Sequence, residues 1–401
     1  MEIDGLRVTV AGAGIGGLPA ALLLAGAGAE VTVLERVPEP GAVGAGILLQ
    51  PNGLAVLYGL GLGDALSRAA FRTGGSGGVA DETGRPLVEV ELPDFGDGLD
   101  HVLALHRAHL HAVLLAAVRD APRVTLRPGA EVTGADPGGT VTFSGPEGDG
   151  TLDADLVVGA DGVHSVVRRA GGFGAEVKPT GRRYLRVIVP GTGLGIAGER
   201  WTRLGLFGGA PVGDDTYVFA DISAPPVAAA LAARDLDALS NAWGRVMPQA
   251  GRALARVASF DDLLINEVTR VDCERWSDGR LVLLGDAAHA MAPNLGQGAN
   301  SAIVDAAVLT IELARHDSAG AALAAYTARR RPAVRRVQGM ADVLARLSAV
   351  RNPALRRGRD AVLRLAGKAG GGDGRVRAIQ QEDPARLAAA VRGLTEGTPA
   401  A

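Results

Sequence analysis

Leu6 to Ala11 is a short apolar run that stops at a cluster of glycines, and a second, β-branched run, Glu30 to Leu34, stops at Glu35. Between them, Leu18 to Ala25 is apolar on every side. This spacing predicts strand, tight turn, buried helix and strand. Residues 53–70 and His106 to Val118 carry apolar positions at helical spacing, and Gly77 to Glu91 reads as a hairpin around Glu82-Thr83-Gly84. Val124 to Val132 and Gly139 to Ser144 predict short strands, and Asp155 to Gly159 a buried one that opens onto Ala160-Asp161-Gly162. Tyr184–Val189, Arg203–Phe207 and Thr216–Asp221, separated by Gly and Pro, predict a sheet-rich unit of a different kind. Leu281 to Gly285 is one more buried strand, followed by a Gly/Asn/Pro loop and a long helix from near Ala299. Past about residue 320 the chain is helical and arginine-rich, with a glycine linker at Lys368 to Gly374, a short helix and a tail. The expected fold is α/β: a Rossmann-like nucleotide-binding domain interrupted by an antiparallel β-sheet domain, with C-terminal helices. The expected boundaries are 1–75, 98–172 and 270–330 for the first, 76–97 and 173–269 for the second, and 331–401 for the helical end.

Composition narrows the function. Net charge is −3 over 401 residues, so no basic field argues for nucleic acid. Hydrophobic residues at 47% and charged residues at 21% exclude a disordered chain. A single cysteine, Cys273, excludes a disulfide framework and a cysteine-held metal cluster, and is expected as a small buried hydrophobe in a reducing, cytoplasmic setting. His101, His106, His109 and His111 crowd together, yet no carboxylate joins them at ligand spacing, so no metal is expected. Val8 to Ala29 is uncharged and long enough to span a bilayer, but its glycines and Pro19 mark a turn and helix, so neither a membrane segment nor a secretory signal is expected. With 58 glycines, any single glycine motif is weak and needs its context.

Gly12-x-Gly14-x-x-Gly17 has that context, lying after a strand and before a helix, with Glu35 closing the next strand. Glycines there permit a tight turn and a close approach of backbone to a pyrophosphate, which helix amides then hold. An acid at Glu35 accepts both ribose hydroxyls and disfavours a 2′-phosphate. A second segment runs from Asp155 through Asp161-Gly162 to Arg168. A third is Gly285-Asp286-Ala287-Ala288-His289, followed by Pro293, Gly296-Gln297-Gly298 and Asn300. In it a strand delivers a carboxylate to a turn, and the helix start near Gly298 stabilises negative charge on a reduced ring.

The three segments in this order resemble the single-component FAD-dependent aromatic hydroxylases and monooxygenases of the p-hydroxybenzoate hydroxylase type. Gly44-x-Gly46-Ile47 with Pro51-Asn52, and Arg107 within His106 to Leu110, look like further flavin-contacting stretches, and the likeness spans roughly residues 6–340. It implies that Gly12, Gly14 and Gly17 hold the FAD pyrophosphate, Glu35 the adenosine ribose, and that the neighbouring Arg36 also serves the cofactor. It places Arg107 at the ribityl–pyrophosphate region, Asp161 near the pyrophosphate, Asp286 on the ribityl chain, and Pro293, Gly296, Gly298 and Asn300 beside the isoalloxazine. Asp161 as a simple turn cap and Arg107 as a surface arginine are the plain alternatives. The absence of a second glycine fingerprint matches NAD(P)H as a transient co-substrate. The implied cycle reduces FAD, adds O2 to give a C4a-hydroperoxide, and oxygenates, chiefly by hydroxylation, an aromatic or polyketide-like small molecule.

Baeyer–Villiger insertion or epoxidation by the same chemistry is the alternative within enzymes, and a non-catalytic flavin-holding protein the alternative outside them. The Trp-x-Trp-x-x-Ile signature of flavin halogenases is missing. His289 is expected to make a structural hydrogen bond beneath the flavin loop. Tyr217, which shares a strand face with Phe219, and Arg203 are speculative substrate-side residues; the sequence names no catalytic base. A compact monomer or homodimer without a thioredoxin-like extension is expected.

Overall fold

The two apolar runs at the start of the chain become parallel neighbours, Arg7–Ala11 and Glu30–Glu35, joined by the helix Gly17–Gly26. The computed structural model describes residues 3–41, 45–74, 76–196, 198–368 and 372–395. In spatial order the first sheet runs Ser277–Asp278, Leu281–Leu283, Leu156–Gly159, Arg7–Ala11, Glu30–Glu35, Val124–Pro128, parallel except at its Ser277–Asp278 edge. Val10, Val33, Val157 and Val282 have no exposed surface. Strands covered on both faces read as unbroken apolar runs, and that is why these four were legible. The helix Gly298–Arg315 is buried from Asn300 to Leu313 and packs beside Gly17–Gly26.

A second sheet of seven strands runs Leu264–Cys273, Ala175–Val189, Asp215–Asp221, Gly205–Val212, Gly198–Thr202, Ser76–Asp81, Pro86–Glu91. All its pairs are antiparallel except Gly198–Thr202 beside Ser76–Asp81, where Glu199 lies opposite Val79. Alternation divides its faces. Leu185, Val187, Phe207, Val218 and Ala220 form one core with the helices Pro225–Ala232, Leu236–Gly244 and Pro248–Leu254. On the other face Tyr184, Trp201 and Leu206 pack against Ala292, Leu295 and the helix Ala319–Ser348. One register row on that face reads Val79, Glu199, Gly208, Phe219, Arg186.

Three expectations differ in detail. The helical run over 53–70 is two helices, Pro51–Gly59 and Gly63–Ser67, because Gly61 adopts a left-handed φ of +75° between them. Arg203–Phe207 is not one strand: Gly198–Thr202 and Gly205–Val212 form a hairpin whose two-residue turn is Arg203-Leu204, with Gly205 at φ +115°. Of the expected glycine linker, Gly372 onward is already helical, in Gly372–Gln380; residues 369–371 and the tail from 396 lie outside the described residues. The last helix, Pro384–Thr395, buries Leu387 and Val391 and reaches Gly59, where a Cβ would sit 2.7 Å from Val391. Among the described residues, no helix is long and apolar enough to cross a membrane.

Candidate active site

The glycine turn separates two jobs. A Cβ on Gly12 would lie 2.7 Å from the Ala160 carbonyl oxygen, and one on Gly17 only 1.9 Å from that of Gly12. Those glycines are needed for backbone packing. A Cβ on Gly14 would meet nothing within 4 Å. The helix behind it, Gly17–Gly26, has no side-chain cap and no acid in its first turn. The Leu18 and Ala20 N–H groups donate to the Gly14 and Gly16 carbonyls at 3.1 and 3.2 Å and Pro19 has no N–H, so the amides left without a protein acceptor among the described residues are those of Gly14 to Gly17, a ready anion site. Glu35 fixes the turn from one side, accepting from the Ala13 N–H at 2.8 Å and the Val37 N–H at 2.9 Å. Buried His111 fixes the other side, donating from Nε2 to the Ala13 carbonyl at 2.8 Å. Arg36 follows Glu35 and is exposed.

Asp161 closes the neighbouring turn. Its Oδ2 accepts from the Val166 and Val167 N–H groups at 2.6 and 3.2 Å, while Oδ1 is buried without a partner. Arg168, also buried, donates to the Ala287 carbonyl at 2.8 Å and so ties this turn to the Gly285-Asp286 turn. Asp286 opens the four-residue helix Asp286–His289 and is exposed, with no hydrogen-bond partner among the described residues. Arg107 begins the helix Arg107–Asp120 and is half-buried. Burial pulls its pKa down, against the pull of Asp286 and Tyr217 in the other direction. Its guanidinium has no hydrogen-bond partner among the described residues.

The Pro293–Leu295 turn is held in place by amides. Gln50 donates to the Leu295 carbonyl at 2.7 Å, and Gln297 donates to Gln50 at 2.7 Å. Asn300 is fully buried and donates to the Leu48 and Gly296 carbonyls at 3.0 and 2.8 Å. Its amide therefore braces the loop from behind. Gly296 takes φ +63°, and a Cβ on Gly298 would meet nothing within 4 Å. The turn faces the large sheet, where the Tyr184 hydroxyl donates to Asn294 at 3.3 Å. Burial pushes the Tyr184 phenol up to about 12. Tyr217 sits over Gly46, whose Cβ would lie 2.4 Å from its ring, and beside Phe219 at 5.4 Å between ring centroids. Gly44 lies outside the described residues.

His289 is 1% exposed, and its Nε2 bonds Asp305 at 2.5 Å. Asp305 also accepts from Arg330 at 2.7 Å and from the Gly285 N–H at 3.0 Å. Burial raises the Asp305 pKa, but the positive fields of His289 and Arg330 win and hold it below the ordinary range. This buried network anchors the Gly285-Asp286 turn.

The structure brings Arg107, Asp286 and Tyr217 together, and leaves Arg203 elsewhere. Arg203 lies in its hairpin turn, donating to the Arg245 carbonyl at 3.0 Å, with Glu82 3.7 Å away. The four crowded histidines have separate partners: His101 meets Tyr58 and Asp100, His106 Asp215, His109 the Ala65 carbonyl and His111 that of Ala13. Among the described residues no cluster is fit to hold a metal. Cys273 is buried, and its thiol is pushed up to about 11 by that burial.

An open glycine, turn amides without a protein acceptor, an unpaired guanidinium and an unpaired carboxylate are what a long dinucleotide with a polyol chain requires, and the residues fit FAD. A protein-family model described as an FAD binding domain matches residues 5–192 and 222–341, more than half of the chain. The chain is 34% identical over 337 residues to the 3-amino-4-hydroxybenzoate 2-monooxygenase of Streptomyces cremeus, covering 76% of this chain and 77% of that one. It is 33% identical over 333 residues to the aurachin C monooxygenase/isomerase of Stigmatella aurantiaca, covering 81% and 85%. Among solved structures, a mutant of 2-methyl-3-hydroxypyridine-5-carboxylic acid oxygenase superposes with a TM-score of 0.77 at 28% identity, over 96% of this chain and 98% of that one. Klebsiella pneumoniae HpxO complexed with FAD and uric acid gives 0.77 at 26%, over 94% and 97%. The chain belongs to the family of FAD-dependent aromatic hydroxylases and monooxygenases.

Proposed function

We propose that the protein uses NAD(P)H and O2 to oxygenate, chiefly by hydroxylation, a planar aromatic or polyketide-like small molecule. The observation that carries this reading is the presence of three features in one molecule. They are the open Gly14 turn, the unpartnered Arg107 guanidinium within the field of the Asp286 carboxylate, and a sheet face bearing Tyr184, Arg186, Tyr217 and Phe219. Relatives named for an aminohydroxybenzoate and for a 2-heptyl-quinolone support a substrate with a ring and polar substituents. When bound, FAD supplies the two-electron chemistry, taking hydride from the nicotinamide and activating O2.

The residues of the chain do the rest. Gly12, Gly14 and Gly17 shape the turn that receives the pyrophosphate, with Glu35 and Arg36 at the adenosine end. Arg107 meets negative charge on the phosphates, Asp161 stands near them, and Asp286 accepts from the ribityl hydroxyls. Pro293, Gly296 and Gly298 border the ring, and Asn300 keeps that loop rigid. Residues 1–75, 98–172 and 270–330 then act as the FAD-binding part, and 76–97 with 173–269 as the substrate part. The inserted sheet excludes water from the reacting atoms. The nicotinamide visits without a glycine turn of its own. No nucleic-acid or membrane partner is needed, and the working unit is a monomer or homodimer.

The test is a visible spectrum of the purified protein, then a screen for aromatic ligands that accelerate NAD(P)H consumption, with oxygenated product measured against H2O2. Protein that is colourless and stays so after incubation with FAD sinks the reading. A yellow protein whose NAD(P)H use no ligand stimulates points instead to a flavin-holding protein.

A further inference from the structure

Three carboxylates stand on the sheet face that looks toward the Pro293–Leu295 turn: Asp81, Glu199 and Asp221. Two of them meet a cation from the C-terminal segment, Arg364 of the helix Pro353–Lys368 and Arg351 of the link before it. Arg364 donates to Asp81 at 2.6 Å, and Arg351 stands 3.9 Å from Asp221. Glu199 meets none. Its Oε1 accepts from the Trp201 indole N–H, and its Oε2 has no hydrogen-bond partner among the described residues. The Trp201 ring is covered by the Arg359 guanidinium, 5.1 Å from the ring centroid, and that arginine is itself committed to Asp360 and the Leu347 carbonyl. Tyr184 is close enough to feel the charge of Glu199, and its own hydroxyl is turned to Asn294. Burial pushes the Glu199 carboxyl up to about 7, against the opposing pull of the indole N–H.

The neighbours explain what a free carboxylate would do here. Glu199 is in register with Gly208, then Phe219, then Arg186. The Phe219 ring fills the space over Gly208, where a Cβ would be 2.4 Å away, so the floor next to Glu199 is a flat aromatic surface. Arg186, bonded to Asn266 at 2.6 Å, lies three strands off, roughly 14 Å at the ordinary strand spacing. The two ends of this floor therefore differ in sign.

Resting on the flavin monooxygenase reading above, we propose that Glu199 is the proton acceptor for the substrate, its Oε2 taking the proton of a ring hydroxyl or ring N–H from an aromatic ligand lying on Phe219. The ligand's O–H or N–H bond breaks, the electron pair stays on the ligand, and the proton forms the carboxyl O–H. No electrons are exchanged with the protein, and the proton returns to product or solvent at release. The gain is an electron-rich ring at the moment of oxygen transfer. The substrate class is thus a phenol or N–H heteroaromatic whose donor points to Glu199 and whose acceptor or carboxylate end points to Arg186.

The test compares wild-type holoenzyme with Glu199→Gln, which keeps an acceptor for the Trp201 N–H, and with Glu199→Asp. The probes are 3-hydroxybenzoate, 3-amino-4-hydroxybenzoate and a 4(1H)-quinolone. In wild type, product-forming kcat/KM rises with pH through about 7 to a plateau. In Glu199→Gln that limb vanishes and product falls about 100-fold, while flavin content is kept and a larger share of the electrons taken from NAD(P)H goes to H2O2. Glu199→Asp recovers part of the product. A variant that keeps both the limb and the rate overturns the proposal. Infrared spectra of the holoenzyme give a readout without turnover. A neutral-carboxyl band should fade in wild type as pH rises through about 7, and should be missing from Glu199→Gln. Its absence from wild type overturns the assignment even if no probe is oxygenated. Wild type that binds no FAD sinks the flavin reading instead.

Discussion

Gly14 and Gly17 belong to one motif but do different work. Gly17→Ala drives a methyl into the Gly12 carbonyl and should lower the melting temperature of apoprotein and holoprotein alike. Gly14→Ala meets no protein atom, so the apoprotein should melt as wild type does while FAD affinity falls. Equal FAD affinity in Gly14→Ala would show that nothing binds there. Asp286→Ala should also lose flavin, because that exposed carboxylate has no structural partner to mask the loss; full yellow occupancy and turnover would rule out its assigned role. Glu199 carries a stability signature of its own. Its folded pKa lies near 7, above the ordinary value of 4.5, so the folded state favours the neutral acid. Stability is therefore lost as pH rises from about 4.5 through about 7, and stays lost above. Glu199→Gln should melt higher than wild type near pH 8 and alike near pH 5, a crossover that calorimetry at the two pH values would reveal. The Gly12 to Gly17 turn and the Gly285-Asp286 turn were legible as turns because each ends a buried apolar strand. Glu199, Arg186 and Tyr184 were not, since alternation tells that they share a face and not which way it looks. Arg203 falls outside the strand because the hairpin turns at Arg203-Leu204 and the strand resumes only at Gly205, two residues later than the pattern suggests.

At the scale of elements, the Asp305 network joins the Gly285-Asp286 turn to two long helices, Gly298–Arg315 and Ala319–Ser348. Asp305→Ala would strand the Arg330 guanidinium in the interior and leave the His289 Nε2 without its partner, and should cost about 3–5 kcal/mol in urea unfolding. A loss below about 1 kcal/mol would mean the network is bystander packing. A similar brace comes from the turn after Gly372–Gln380. Gln381, held at φ +68°, donates to Gln297 and Ser301 at 3.1 and 2.7 Å, and Gln380 accepts from the Asn52 N–H at 3.0 Å. Nothing local in the sequence announces these contacts, which join residues 80 or more positions apart. The buried strands and the helix from Gly298 were visible beforehand because their hydrophobic runs are long and bounded by glycine.

The whole molecule has two principal cores, one beneath each large sheet, and the strands Ala175–Val189 and Leu264–Cys273 belong to the second sheet while Val271 and Cys273 reach into the first core. The α/β class with an inserted antiparallel sheet was legible from the change of pattern near residue 180. The seat of the C-terminal helices was not, because an arginine-rich amphipathic helix reads as a solvated surface element. In fact the last helix closes the first core through Leu387 and Val391. Removing the chain from residue 369 onward should therefore lower the melting temperature and the retention of FAD together; unchanged values for both would make that helix dispensable. One pairing bears on how the molecule is made. Val79 waits for Glu199, which follows 120 positions later by the difference of their numbers. Until the ribosome has delivered that strand, the Ser76–Asp81 hairpin must stand with a bare edge, open to any other extended chain. Slow translation between these two points should accordingly favour clumping of nascent protein, and a chaperone that shields strand edges should raise the yield of finished enzyme.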